Sequence, residues 1–345
     1  MGVPLAKLVK PKKISFTQLR GKALAIDAFN AIYQFLALIR RGPGIPLTDR
    51  EGRVTSHLNG LLFRTVRLIE LGIKPVYVFD GPPPDFKRRT IEERRAIKEK
   101  AEREWIEAIA RGDFRTAWAK AVQTSRLTSD MASDAKRLLD LMGVPWVQAP
   151  SEGEAQAAHM AARGDVWAAA SQDYDSLLFG SPRLVRNVTI TGKRYYRKRP
   201  GYYRLEPELI LLKEMLSSLG ITREQLVDMA ILIGTDYNEG VKGVGPIKAL
   251  KLIRQFGSLE AALRFLRVRP DPDIDLEAIR RFFLDPPATD DYELVWKPPD
   301  EGRLIEFLCE ERDFSKKRVL TAIDRLRSSF GSTGRARSLE DYWGD

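Results

Sequence analysis

The clearest chemical pattern in this 345-residue chain is a set of seven carboxylates. Asp27, Asp80 and the pair Asp173 and Asp175 follow short apolar runs. Glu152 and Glu154 form the pair E-G-E, and Asp236 lies in the loop TDYNEG. Gathered in one place, that many like charges repel one another, and the set becomes tolerable when divalent cations neutralise it. Carboxylates and waters are hard oxygen donors, which suit Mg²⁺ or Mn²⁺. Two such ions lower the pKa of a water, making it a nucleophile, and stabilise the leaving oxygen of a phosphodiester. The pattern points to metal-assisted hydrolysis of a phosphodiester bond.

Each acid also has an ordinary structural role open to it. Ser151 and Glu154 have the S-x-x-E spacing of a capping box, and for Glu154 alone the cap is the better reading. Asp27 and Asp80 fit helix N-caps or turn residues after strands, and Asp236 fits a turn. The metal reading rests on several strand-terminal acids coinciding with two adjacent acid pairs. Other donor sets are excluded by composition. Cys309 is the only cysteine, so no disulfide within the chain and no cysteine-based zinc site is available, and His57 and His159 are the only histidines. With 57 Lys and Arg against 47 Asp and Glu the chain carries a formal charge of +10, which favours a polyanionic partner such as nucleic acid. No apolar run approaches the roughly 18 residues of a membrane span. The start MGVPLAKLVKPKK lacks the apolar stretch of a signal peptide, so an intracellular, cytoplasmic protein is expected.

The elements that must position the acids follow from periodicity. KALAIDAF reaching Asp27, KPVYVFDG reaching Asp80 and VWAAASQDYD reaching Asp173 and Asp175 read as buried strands. Helical patterns at residues 57–72 and 154–164 alternate with them, as in a mostly parallel α/β sheet flanked by helices. Such sheets bind ligands outside the carboxyl ends of their strands, where these aspartates fall. From residue 87 to about 140 the chain is helical and highly charged, which reads as a helical insertion; a solvated face with i,i+4 charge pairs accounts for most of its charges. Two more helical segments, EQLVDMAILIG and PIKALKLIRQFG, flank the loop TDYNEGVKGVG. Residues 270–299 read as irregular and the end of the chain as a flexible tail.

That loop is a second signal. Gly243 and Gly245 permit close backbone approach, Pro246 fits a first helical turn, and free amides there can receive a phosphate. Lys242, Lys248 and Lys251 add positive charge. A packing device is the competing reading. Contacts of this kind recognise DNA shape rather than sequence.

The runs AIDAFNAIYQFL, TSHLNGLLFRTVRLIELGIKPVYVFDGPPP, LMGVPWVQAPSEGEAQAA, SQDYDSLLFGSP and ILIGTDYNEGVKGVGP closely resemble the flap endonucleases of archaea and eukaryotes, from Met1 to about Phe330. The resemblance implies a structure-specific 5′ flap endonuclease and 5′→3′ exonuclease of lagging-strand maturation and base excision repair, with two Mg²⁺ ions and Mn²⁺ as a substitute. It implies that Asp27, Asp80, Glu152 and Glu154 serve one ion and Asp173, Asp175 and Asp236 the other, with Glu154 shared. Lys87, seven residues after Asp80, and Arg94 fall where the family places the basic residues of a helical arch over the scissile phosphate. Tyr33 matches an aromatic on which a base stacks, with a core tyrosine as the competing reading. The Gly243 to Gly245 loop resembles a helix-two-turn-helix that grips uncut duplex, with a K⁺ ion held by carbonyls. The implied organisation is a single nuclease domain over residues 1–335. It comprises an N-terminal region (residues 1–100), an arch at about 85–135, an internal region at about 136–260 and a C-terminal region (residues 261–335), followed by a clamp-binding tail at 336–345.

One departure concerns that tail. The family's clamp-binding motif has the form Q-x-x-L-x-x-F-F, whereas this chain has Ala336 at the glutamine position, then Leu339, Tyr342 and Trp343. The apolar plug for a sliding clamp is present and its polar anchor is not. The rivals are another 5′ nuclease of the superfamily, whether exonuclease or junction resolvase, and a noncatalytic DNA-binding scaffold. The scaffold is expected to lose acids, and all seven are present.

Overall fold

In the computed structural model, which describes residues 2–41, 44–111, 113, 116, 120, 127–189, 193–195 and 202–331, the three apolar runs form adjacent parallel strands. The sheet comprises β1 (Lys12–Lys13), β2 (Ala23–Asp27), β3 (Lys74–Phe79), β4 (Trp146–Gln148), β5 (Ala168–Ala170), β6 (Arg183–Arg186) and β7 (Glu208–Leu211). Their spatial order is β1-β7-β6-β5-β2-β3-β4. The inner pairs are parallel, with Ile26 opposite both Tyr77 and Ala170; only β7 against β6 and β1 against β7 run antiparallel. The mostly parallel α/β fold read from the sequence is the one observed.

Helices cover both faces, and the pleat sorts the side chains between them. Along the chain the first five are α1 (Ala28–Leu38), α2 (Ser56–Glu70), α3 (Arg88–Ala110), α4 (Ser129–Leu141) and α5 (Gly153–Arg163). Leu24, Ile26, Tyr77 and Phe79 are buried in one cluster with residues of α1, α2 and α4, whereas the intervening Ala25, Val76 and Val78 pack with Ala157, Met160 and Ala161 of α5. The helix α4 buries Ala135, Leu138, Leu139 and Leu141, so the end of the segment read as an insertion is a core element. Its charged residues flank that face, Lys136 over Phe79 and Arg137 over Phe307, and their number is why composition alone merged it with α3.

The chain continues through α6 (Asp175–Leu178), α7 (Leu212–Leu219), α8 (Arg223–Ile233), α9 (Pro246–Phe256), α10 (Leu259–Leu266) and α11 (Leu276–Leu284). These form a second large core, which the N-terminal Val3 and Leu5 enter. Helix α11 corrects the reading of residues 270–299 as irregular throughout: Ile279, Phe282 and Phe283 give it a buried face that the surrounding Pro and Asp obscured. The remainder of that stretch lacks strand and helix but is firmly placed. Tyr292, Leu294 and Trp296 alternate with exposed residues and pack on the α5 side of the sheet, and Trp296 Nε1 donates to the Pro75 carbonyl at 2.9 Å. The last described elements are α12 (Glu301–Ile305) and α13 (Lys316–Gly331). No helix among the described residues is long and apolar enough to cross a membrane.

Candidate metal centre

The strand ends deliver the acids to one place. Asp27 is the last residue of β2 and the N-cap of α1, its Oδ1 accepting from the Asn30 amide at 2.9 Å. The capping role open to it is therefore filled, by one of its two oxygens. Asp80 follows β3 directly and accepts from the Gly153 amide at 2.7 Å, at the first residue of α5. A Cβ on Gly153 would lie 2.7 Å from Asp80 Oδ1, which explains why the E-G-E pair has glycine at its centre. Glu154 is not a cap: the N-cap of α5 is Glu152, whose side chain makes no capping hydrogen bond, and Asp80 takes the first amide of the helix. Instead Glu154 turns in among Asp175, Asp27 and Asp173, and among the described residues its buried Oε1 has no hydrogen-bond partner.

The D-Y-D pair lies beyond a strand shorter than its sequence run. β5 ends at Ala170, because Ser171 to Tyr174 turn out of the ladder before α6 begins at Asp175. Asp173 accepts from Asn30 Nδ2 at 2.9 Å, and Asp175 accepts from the Val3 amide at 2.8 Å. Asp236 occupies a turn that Thr235 and Asn238 hold through their side chains at 2.8 Å, and its charge acts on Asp175 and Lys87. All seven acids thus fall in one connected electrostatic group at the carboxyl edge of the sheet.

Burial and mutual repulsion raise the proton affinity of Asp27, Asp80, Glu154 and Asp175. Burial first, then Glu152, push Asp80 up to about 6 against the pull of the Gly153 amide and Lys87. Burial, Asp236 and Asp173 push Asp175 up to about 7, with the Val3 amide opposing. Asp27 is held well above the usual carboxylate range by burial and by Asp80, and Glu154 by burial and by Asp175 and Asp27. Such groups favour whatever brings positive charge. Among the described residues no three His, Cys, Asp or Glu side chains stand as a ready set of ligands around one ion. The donor set nevertheless fits a hard divalent cation: every group is a carboxylate and one buried oxygen is unpartnered.

Two regions of the chain match family models, the XPG N-terminal domain over residues 1–101 and the XPG I-region over residues 143–236. Over 344 residues the chain is 54% identical to flap endonuclease 1 of Pyrococcus abyssi, covering 99% of this chain and 98% of that relative. The chain belongs to the flap endonuclease family. The solved flap endonuclease-1 of Methanococcus jannaschii is 44% identical with a TM-score of 0.75, covering 96% of this chain and all of that one. The catalytic core of Rad2 in complex with DNA substrate is 25% identical with a TM-score of 0.68, over 93% and 97% of the two chains. In this flap endonuclease the two matched regions contain Asp27 and Asp80, and Glu152 through Asp236, respectively.

The other candidate residues divide clearly. Lys87 reaches into the flap endonuclease's acid group, its Nζ 2.7 Å from both oxygens of Glu152. Although burial works against it, Glu152 holds the ammonium's pKa above its usual range. Lys87 closes a 3-10 turn, Asp85–Lys87, which is anchored by Phe86 set edge-on to Tyr237 at 5.1 Å and Phe282 at 5.3 Å. Arg94 lies in α3, but its side chain falls outside the described residues, as do Leu339, Tyr342 and Trp343. Tyr33 is exposed on α1, which removes the core reading. Lys242, Lys248 and Lys251 are exposed around the turn between α8 and α9. A Cβ on Gly243 or Gly245 would meet nothing within 4 Å, so neither packs against the protein; only Gly243, at φ 79°, is needed for the turn itself. Gly240 is the packing glycine, its position closed by the Ile233 and Gly234 backbone.

Sequence reasoning missed the residues that aim the acids. Asn30 spans Asp27 and Asp173. Arg186 donates to the Gln172 carbonyl at 3.0 Å and to the Tyr174 hydroxyl at 2.8 Å, fixing the loop that carries Asp173 and Asp175. The glycine within E-G-E was the one local signal of this kind; Arg186 and Val3 had none.

Proposed function

We propose that the protein is a structure-specific 5′ flap endonuclease with 5′→3′ exonuclease activity, hydrolysing DNA phosphodiester bonds at single-strand/double-strand junctions in lagging-strand maturation and base excision repair. The observation that carries this reading is the gathering of seven carboxylates, Asp27 and Asp175 among them buried, in one electrostatic group at the sheet's carboxyl edge, in a chain 54% identical to a flap endonuclease 1. Asp27, Asp80, Glu152 and Glu154 hold one Mg²⁺ and Asp173, Asp175 and Asp236 a second, with Glu154 shared; Mn²⁺ substitutes. Bound there, the ions supply Lewis acidity, which acidifies the attacking water and stabilises the leaving oxygen. Asn30 and Arg186 keep the second acid pair aimed. Lys87 and Arg94 bring positive charge to the scissile phosphate, where negative charge builds in the transition state. Tyr33, exposed, stacks on a base near the cut bond.

The exposed lysines and open glycines between α8 and α9 support a helix-two-turn-helix that grips uncut duplex through backbone amides, with loop carbonyls holding K⁺. Residues 1–335 act as one nuclease domain with its arch near 85–135, and the tail 336–345 docks on a sliding clamp through Leu339, Tyr342 and Trp343. The Rad2 catalytic core in complex with DNA substrate is a second nuclease-like comparison, yet 25% identity places it behind the flap endonucleases. The test is Mg²⁺-dependent cleavage of a 5′-flap, a nicked duplex and a four-way junction. The flap should be preferred. Asp80→Ala and Asp175→Ala should each lower the rate by more than the roughly 10–100-fold seen on losing a group one step removed from a metal, while flap binding stays largely intact. Near-normal cleavage by either variant sinks the assignment.

A further inference from the structure

We propose that Lys87 is a counter-cation built into the acid cluster, which occupies Glu152 until a divalent ion displaces it, so that loading of the metal frees Lys87 for the substrate. This rests on the reading of the acids as metal ligands. The Nζ atom lies 2.7 Å from both Glu152 oxygens, with the two side chains only 14% and 13% exposed. That differs from the loose ion pairs of a protein surface, which are solvated and contribute little. Asp80 and Asp236 add their charge to the same ammonium, and the Tyr237 ring lies 5.8 Å from it. The ammonium therefore faces three of the seven acids at once.

A divalent ion held by Glu152 would compete with the ammonium for the same two oxygens, and like charges brought that close repel strongly in a partly buried site. One must leave. The backbone is not free to follow, because the amide of Lys87 donates to the Pro84 carbonyl at 2.9 Å and Phe86 is wedged against Tyr237 and Phe282. The movement falls to the flexible four-carbon stem of the lysine. α3 begins at the next residue, so the released ammonium remains at the mouth of the site, within reach of a substrate phosphate. One cation then serves two positions in turn: it holds the acids together without the ion, and it turns to the substrate once the ion has taken its place.

The experiment measures Mn²⁺ binding to the DNA-free protein by the paramagnetic resonance signal of the free ion. Lys87→Met should bind Mn²⁺ about tenfold more tightly than the parent, and Lys87→Arg, which keeps the charge, should match the parent. In a Glu152→Gln background the gain from Lys87→Met should largely vanish. Crystals soaked in Mn²⁺ should show Nζ out of hydrogen-bonding range of Glu152. Unchanged or weaker affinity in Lys87→Met, equal tightening by the arginine variant, an undiminished gain without Glu152, or Lys87 still on Glu152 beside a bound ion would each overturn the proposal. Mn²⁺ affinity that survives both Asp80→Asn and Asp175→Asn would instead refute the metal-centre reading itself, which keeps the two failures apart.

Discussion

The N-cap of α1 shows that a structural and a chemical role can share one side chain. Asp27 caps its helix through one oxygen, and still lies within the electrostatic reach of Asp80, Asp173 and Glu152. His57 shows the opposite case, a titratable side chain that the proposed chemistry does not use. It is 1% exposed at the start of α2, neither ring nitrogen has a partner, and burial, reinforced by Arg312 and opposed by Asp134, brings its pKa down to about 4. The neutral ring is therefore favoured in the folded state. An unfolded histidine takes up its proton near 6.5, so this contribution to stability is complete above that pH and is lost as pH falls from about 6.5 to about 4. Between pH 7 and pH 5 the loss amounts to about 2 kcal/mol. His57→Phe should remove that share of the pH dependence in urea unfolding, and an unchanged slope between the two pH values would show that His57 is charged in the folded protein.

At the scale of elements, the short turn ahead of α3 matters more than its three residues imply. Phe86 is held by Tyr237 and Phe282, so the second large core sets where Lys87 stands. Phe86→Ala should lower single-turnover cleavage at saturating enzyme by up to roughly 10²-fold, the cost of misplacing a group by about 1 Å, with little change in DNA affinity. A parent-like rate would mean that Lys87 is positioned by Glu152 alone. The turn between α8 and α9 is separable from this chemistry. Lys242→Ala and Lys248→Ala should each weaken binding to all duplex substrates alike and reduce the slope of log affinity against log salt by about 1, without affecting the rate at saturation. A slope equal to the parent's would return the lysines to a purely solvated role.

At the scale of the molecule, a net charge of +10 coexists with a cluster of seven acids. In the proposed reading the basic surface attracts the polyanion over long range, and the acids act only at the reacting phosphate. The tail is expected to act independently of both. Deleting residues 336–345 should abolish binding to the organism's own sliding clamp in calorimetry while leaving cleavage of short free flaps unchanged. Ala336→Gln should strengthen clamp binding by about 0.5–1.5 kcal/mol, the net contribution of one hydrogen bond. Undiminished clamp affinity after the deletion would locate the contact elsewhere.

Local pattern was enough to read the parallel strands, the helices α2, α5, α8 and α9, and the acids at the strand ends. A strand buried on both faces must be a continuous apolar run, and an acid that ends such a run is visible in a few consecutive letters. The capping-box spacing of Ser151 and Glu154 was equally visible and misleading, because whether Glu154 caps or turns inward depends on Asp27, Asp173 and Asp175, which come from distant stretches of the chain. Helix α11 was hidden by its Pro- and Asp-rich flanks, and its buried face became evident only against Tyr237 and Phe179. The contacts that only the tertiary structure decided are the long-range ones: Val3 on Asp175 across 172 positions, Asn30 on Asp173 across 143, and Lys87 on Glu152 across 65. No local period encodes such pairs. They exist because the parallel sheet brings separate strand ends to one edge, where each buried carboxylate must find a donor or a cation.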